Sequence, residues 1–341
     1  MAHPFLVKDI AFQAGLSVAT VDRVLNDRPG VRRQTAMRVR AAISELEKQQ
    51  QGAGLAGMRL TIDIVMEAPE RFTEAVRAAF EAEVTTLLPA IFRCRFHFAE
   101  VMRVGDLVHL LDRIRLRGTD GIVLKAPDVP EIVAAVTRLA EADIAVVTLV
   151  TDLPTAPRAG YVGADNRAAG ATAAYLIGEH AAGGAARVLV TLSSGRFRGE
   201  EEREIAFRRA IRERYPAVSM SEISEGYGTD AATGKLVAAS LAADPAIDAV
   251  YSIGGGNRAV IAAFEAAARP IRIFVAHDLD ADNRALLAER KLTFVLHHDL
   301  RTDARMAFRA FLNRRVAPGR MTAGGLSAVE IITPCNVPAE L

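Results

Sequence analysis

Over residues 7–48 apolar positions recur three and four apart, the spacing of one helix face. Val7 to Ala14 (VKDIAFQA) reads as a first helix that stops at Gly15, a favoured helix terminator. Ser17 is a good N-cap for a second helix running through Leu25. Asn26-Asp-Arg-Pro-Gly30 is a turn cluster, and a third helix is expected from Arg33 to Lys48, with Ala36, Val39, Ala42, Ile43 and Leu46 on one face. Gln49 to Gly57 (QQQGAGLAG) is a polar, Gly-rich boundary, and beyond it the period changes. Short apolar runs suited to buried strands recur at Leu60–Met66, Arg93–Ala99, Gly121–Lys125, Ala145–Val150, Arg187–Thr191, Ala249–Ile253, Ile271–Ala276 and Thr293–Leu296. Ala-rich helical stretches separate most of them, so βαβ units and parallel sheets covered by helices are expected. A pattern of this length suits two similar lobes better than one sheet. The turns near Thr151–Tyr161 and the late return at Thr293–His298 are the expected crossover points.

The chain has 341 residues, half of them hydrophobic, 6% aromatic and none Trp, so aliphatic and Ala packing must carry the core. A net charge of +1 argues against a surface that coats nucleic acid everywhere. The charge is uneven: residues 1–48 hold eight cationic side chains against five carboxylates. The two cysteines, Cys94 and Cys335, give neither metal-ligand spacing nor a disulfide framework, which fits a reducing compartment. MAHPFLVKDIAFQAG contains no apolar stretch long enough for a signal peptide, and no run elsewhere is long enough to span a membrane. A cytoplasmic protein with no membrane partner is therefore expected.

Two short helices around a tight Gly turn are the elements of a helix-turn-helix, whose second helix enters the major groove of DNA. Ala11, Ala14, Gly15, Leu16, Val21 and Val24 supply the small and apolar residues such close packing requires. Ser17, Val18, Ala19, Thr20, Asp22, Arg23 and Asn26 would face outward. Arg23 is the best base reader, because a guanidinium pairs bidentately with a guanine edge. Ser17, Thr20 and Asn26 suit phosphate or sugar contacts. On spacing alone, a three-helix protein-docking module remains open.

Lys8-Asp-Ile-Ala-x-x-Ala-Gly-Leu-Ser-Val-Ala-Thr-Val-Asp-Arg-Val-Leu-Asn26, then Val31 and Thr35-Ala-x-Arg-Val-Arg-Ala-Ala42, closely resembles the headpiece of the lactose-repressor (LacI) family. The resemblance implies an all-α helix-turn-helix headpiece (1–48), a linker with a hinge helix (49–58), and an α/β two-lobed, periplasmic-binding-protein-like (type I) domain (59–341). It implies a homodimer on near-palindromic double-stranded operator DNA, with Val18, Ala19 and Arg23 reading bases and repression relieved by ligand as the common mode. Asp22 stands where the family usually has Ser, placing a carboxylate near phosphates or beside Arg23. Arg32 replaces a common small N-cap and offers a phosphate contact. Leu55-Ala56 resembles the family's minor-groove leucine step. The usual Tyr-x-Pro-Asn pattern before the hinge is missing, and Gly52, Gly54 and Gly57 each weaken a helix by about 1 kcal/mol relative to Ala.

The long domain resembles sugar-binding lobes at looser motifs. Glu201-Glu-Arg-Glu-Ile-Ala-Phe207 looks like the family's Arg-x-x-Gly-Phe element, with Arg203 gripping ligand oxygens; a helix-surface arginine paired with Glu200 or Glu204 is the plain alternative. His277-Asp278 resembles a Gly-Tyr/Phe-Asp step, with Asp278 accepting ligand hydroxyls at a strand's end. Asn257 and His298 match a polar turn position and a crossover glutamine, and Thr151 falls in the place of a polar pair. In the first lobe Glu67, Arg71 and Phe72 follow the first strand, and Asp128 follows Gly121–Lys125. The effector implied is a sugar, sugar acid, sugar phosphate or polyol, with Arg71, Arg203 and His298 hinting at an acidic or phosphorylated one.

Competing chemistry finds little support. Gly254-Gly-Gly256 lacks the order of a dinucleotide or P-loop motif and reads as a strand-to-helix turn. Adjacent His297 and His298 would point to opposite faces of a strand, so no metal is expected. No catalytic constellation assembles and no cofactor is called for. A solute-binding protein with an accessory helical head and no DNA role is the alternative function.

Overall fold

Helices form at the N-terminus where the apolar spacing places them: α1 (Val7–Ala14), α2 (Val18–Leu25) and α3 (Arg33–Leu55). Ile10, Ala11, Ala14, Val21, Val39 and Ala42 close a small core between them. The computed structural model describes residues 5–55, 57–316 and 325–338, and for residues 47–54 the backbone alone. α3 runs past Lys48, where the sequence reading ended it, as far as Leu55. Helix propensity is a weak prior, and the Gln, Ala and Leu around the glycines are adequate to good helix formers. Ala56 lies outside the described residues.

The chain divides into two units, one holding the headpiece up to Arg59 together with Leu87–Ile91, the other holding the rest. In the second unit β1 (Arg59–Glu67), α4 (Glu70–Val84), β2 (Ile91–Ala99), α5 (Val104–Arg117), β3 (Gly121–Lys125), α6 (Pro130–Glu141), β4 (Val146–Leu149) and β5 (Gly160–Ala164) build a first lobe. A second lobe follows: α7 (Asn166–Ala181), β6 (Ala186–Thr191), α8 (Arg198–Arg214), β7 (Val218–Ile223), α9 (Asp230–Ala243), β8 (Ala249–Ser252), α10 (Asn257–Ala266), β9 (Ile273–His277), α11 (Ala281–Ala288) and β10 (Phe294–His297). α12 (Leu300–Val316) packs back on the first lobe, and β11 (Leu326–Ser327) and β12 (Glu330–Ile332) add one strand to each sheet. The sheet orders are β11-β5-β4-β3-β1-β2 and β12-β10-β9-β8-β6-β7, the same plan twice. β12 runs antiparallel to β10, while β6, β8, β9 and β10 are parallel.

All eight expected strands form, with ends shifted by at most two residues. β5, β7, β11 and β12 are additional; β5 is a five-residue GYVGA, β7 an edge strand with half-exposed residues, and β11 and β12 only two and three residues long, so none shows a continuous apolar run. Missing β5 also misplaced the first crossover. Thr151–Tyr161 joins β4 to β5 inside the first sheet, and the chain crosses at Asp165 instead. The return after β10 at His298 lies where it was expected, and a third crossing joins β11 to β12. Aliphatic side chains fill both faces of the second sheet, with Phe207 and Tyr251 stacked at 4.6 Å between ring centroids.

Candidate functional site

α2 is set up by local chemistry. Ser17 Oγ accepts from the Thr20 amide at 3.2 Å and shares a 2.8 Å hydrogen bond with the Thr20 hydroxyl. Gly15 takes φ 60°, which turns the chain between α1 and α2, and Arg38 donates to the Ala14 carbonyl at 2.8 Å. Ser17, Val18, Ala19, Arg23 and Asn26 are exposed, while Thr20 and Asp22 are half-buried. Asp22 does not orient Arg23: it accepts from Asn26 Nδ2 at 2.8 Å and pairs with Arg28 at 3.1 Å. That compensation removes the cost of a bare carboxylate near phosphates and commits part of the Asn26 amide to its own helix. Arg32 is exposed, and its carbonyl accepts the Thr35 and Ala36 amides at the start of α3. Leu55 is half-buried at the end of α3.

In the lobed unit the C-terminal ends of strands from both sheets converge on a cavity of about 60 Å³, the place where open α/β sheets bind ligands. Val150 and Asp278, one on each lobe, follow their strands at φ 66° and 64°. Such a conformation is costly for a non-glycine residue and persists only when neighbours over-determine it. The Val150 carbonyl accepts from Asn166 Nδ2 and the Tyr161 hydroxyl, both at 3.2 Å. Asn283 Nδ2 donates to the carbonyls of His277 at 2.8 Å and Asp278 at 2.7 Å.

Arg71, Phe72, Thr151, Arg203 and Asp278 line this cavity. Arg203 is buried and donates from Nε to Asn166 Oδ1 at 2.7 Å, so it is no helix-surface arginine. Thr151 Oγ1 accepts the Gly199 amide at 2.9 Å, at the start of α8. Three sequence-predicted residues lie outside the lining. Asp128 sits 3.6 Å from Arg198. Asn257 is behind the wall, donating to Asn283 Oδ1 at 2.7 Å. His298 is also behind it, hydrogen-bonded through Nδ1 to Asp303 at 2.6 Å, with Nε2 3.6 Å from Asp278. Lys125, Glu200, Asp280 and Asn283 line the cavity without having been singled out. The Asp280-x-x-Asn283 spacing, a helix cap with Asp280 Oδ1 accepting the Asn283 amide at 2.8 Å, was the one sequence clue. Gly254-Gly255-Gly256 is the turn from β8 into α10.

Burial and charge shape this site together. Burial opposes the Asp278 charge, yet His298 and Arg203 hold its carboxyl well below the usual range. His298 is buried too, but Asp278 and Asp303 push it up to about 9, so it carries a proton at neutral pH. Burial pushes His297 down to about 4, and holds His277 well below its ordinary value. The neutral His277 ring shares a 2.9 Å hydrogen bond with the Tyr251 hydroxyl. Lys125 is lowered by burial against the pull of Glu200 and Glu67; it donates to the Glu67 carbonyl at 2.8 Å and lies 3.9 Å from the Phe197 ring centroid. Burial raises Glu67 despite Arg196 and Lys125. Among the described residues no group of three or more His, Cys, Asp or Glu gathers at metal-binding reach, and no helix is long and apolar enough to cross a membrane.

A helix-turn-helix joined to a two-lobed domain with a polar cleft defines a class: DNA-binding regulators that respond to a small molecule. Residues 6–47 match the model of the bacterial regulatory proteins, lacI family, and residues 68–314 match the periplasmic binding protein domain. The chain belongs to the LacI family of transcriptional regulators, with DNA and a small-molecule effector as its partners. Neither matched family is enzymatic. The lobed unit is similar to GanP, a glucose-galactose binding protein from Geobacillus stearothermophilus, at 18% identity and a TM-score of 0.73, covering 82% of this chain and 99% of that one. A solute-binding protein from Burkholderia graminis in complex with D-arabinose is similar at 17% identity and a TM-score of 0.72, covering 82% and 96%. AraP, an arabinose binding protein from Geobacillus stearothermophilus, follows at 16% identity and 0.67, covering 82% and 97%. Likeness at such identities shows the fold alone. No curated protein sequence matches the chain.

Proposed function

We propose that the chain is a homodimeric repressor whose cleft senses a neutral, polyhydroxylated small molecule. The observation that carries the ligand class is the state of the charged groups at the cavity. Two of its cationic neighbours are already paired, Arg71 with Asp280 at 3.0 Å and Arg196 with Glu67 at 2.8 Å. Of the wall carboxylates, Glu67 Oε2 has no hydrogen-bond partner, and Asp278 Oδ1 has none either but stands 3.6 Å from His298 Nε2. Unsatisfied buried acceptors favour a ligand rich in O–H donors, and a phosphate or second carboxylate would add acceptors where donors are needed. This argues against the acidic ligand that Arg71, Arg203 and His298 suggested in sequence. Arg203 and Asp278 of the second lobe are the ligand groups we assign, with Phe72 and Thr151 from the first.

On DNA, two headpieces would read half-sites about one helical turn apart, with Arg23 at a guanine edge, Val18 and Ala19 against thymine methyls, and Ser17, Thr20 and Arg32 on the backbone. A thermal-shift screen of sugars and polyols against sugar acids and sugar phosphates tests the ligand class. An uncharged sugar or polyol should raise Tm by several degrees at about a hundred times its Kd, and Arg203→Ala should remove that shift. A shift produced by phosphates alone would overturn neutrality. Adding the best hit to an operator gel shift then decides the mode: weaker DNA binding supports repression relieved by ligand, and tighter binding makes the ligand a corepressor.

A further inference from the structure

Arg71 is drawn on by sequence as a ligand group, yet its contacts belong to the opposite lobe. It leaves the first turn of α4 on lobe one, and its Nε meets Asp280 Oδ2 of lobe two at 3.0 Å. Asp280 divides its oxygens: Oδ1 caps α11 through the Asn283 amide at 2.8 Å, and Oδ2 takes the arginine. The Asp280 side chain is 4% exposed and that of Arg71 20%, so water screens the pair poorly. The path between them is cut from glycine. A Cβ on Gly255 would stand 2.0 Å from Arg71 Nη2, and one on Gly228 would stand 2.9 Å from Pro69 Cγ and 3.5 Å from Arg71 Nη2. Gly255 also takes φ +88°, a conformation that other residues rarely adopt. Side chains at Gly228 and Gly255 would crowd the space that the guanidinium from lobe one takes on lobe two.

We propose that Arg71 is a closure latch: it reads the shut arrangement of the two lobes by entering the glycine-cut seat at Gly228 and Gly255 and ending on Asp280, so that closure has a component set by the chain and independent of the ligand. A second cation crosses the other way, Arg196 from lobe two to Glu67 at the end of β1 at 2.8 Å, and flanks the latch. In a ligand-responsive regulator such a latch sets the resting balance between open and shut cleft, and the ligand adds to it through other groups. A ligand shifts that balance only by its preference for one arrangement, so the latch fixes how much preference is needed.

The test reads lobe separation directly and needs neither ligand nor operator, so it stands or falls apart from the ligand class proposed above. Cys335 is exposed on lobe two, whereas the Cys94 thiol is half-buried and pushed up by burial to about 12, which keeps it from labelling at neutral pH. Leu116→Cys, at a position 77% exposed on α5 of lobe one, supplies the second label. Spin-label distances are then measured on the full chain, diluted with unlabelled protein and without added sugar. The expected result is that Arg71→Gln moves the ratio of long to short distances at least about tenfold, because removing one partner of a buried pair strands the other. Asp280→Asn, which keeps the cap, should do the same. Gly255→Ala should do so with both charges intact, and adding it to Arg71→Gln should shift nothing further. Circular dichroism identifies any variant that fails to fold, and Arg71→Gln, a change at a partly exposed side chain, keeps the test valid if Gly255→Ala does not fold. Unchanged distances in Arg71→Gln overturn the latch. If that variant also loses the thermal shift of the best sugar, Arg71 is a ligand group instead.

Discussion

The headpiece and the cleft recognise their partners by opposite uses of the chain. In the headpiece every assigned reading side chain of α2 lies between Ser17 and Asn26, most are exposed, and the bonds that orient them span three or four residues. In the cleft the groups come from strand ends and the first turns of helices scattered from Glu67 to Asn283, most are buried, and their partners lie across the sheet or across the cleft. Recognition by the first is therefore separable from folding. Recognition by the second shares its residues with the packing of the lobes, so a single change there should cost stability and binding together.

The largest test of that contrast is His298→Ala. It strands Asp278 and Asp303 without their shared cation, which should lower the stability of the lobed unit by about 3–5 kcal/mol in denaturant titration. Low-salt binding to nonspecific DNA should be unchanged, because the headpiece has its own core. A loss below 1 kcal/mol would show that the histidine is a spectator. The same group gives the pH profile a sign. Its pKa is raised in the fold to about 9 from the ordinary 6.5, so its contribution is complete below pH 6.5 and is lost as pH rises through about 9. His297 is displaced the other way, to about 4, so the neutral ring's contribution is present above pH 6.5 and fades as pH falls through about 4. Melting temperature against pH should peak near pH 6.5 and fall on both sides, and His298→Ala should remove the alkaline fall.

Smaller effects are expected in the headpiece. Arg23→Ala should cost about 1–3 kcal/mol in operator affinity while leaving the melting of the lobed unit in place. Equal losses on operator and random duplex would remove Arg23 from the base-reading role. Ser17→Ala should cost about 1 kcal/mol of headpiece stability through the lost cap, and Ser17→Asn should restore it. Followed by helical circular dichroism, unchanged headpiece melting in Ser17→Ala would show that the hydroxyl contributes nothing as a cap.

How much was legible follows the same division. The Gly15 turn, the Ser17 cap and the outward face of α2 were readable because each depends on residues three or four apart. Strands with a continuous apolar run were readable too. β5, carrying two glycines, was not, and with it went the first crossing between lobes. Within the cleft, resemblance and strand-end position brought out Arg203, Asp278, Phe72 and Thr151, all of which line the cavity. Asn257 and His298, expected at the ligand, stand one layer behind the lining, and Asp128, expected there too, lies outside it.

The sequence by itself determined the helical head, the polar patch of α2, and two rounds of strand and helix, since propensity, capping and periodicity act along the chain. Only the tertiary structure decided that Asp22 serves Arg28 and Asn26, that Lys125 is buried beside a carbonyl and a ring, and that Arg71 crosses to Asp280 over Gly255. Those choices depend on desolvation and on which charges meet after distant segments have packed. No local pattern specifies which of several carboxylates an arginine will find.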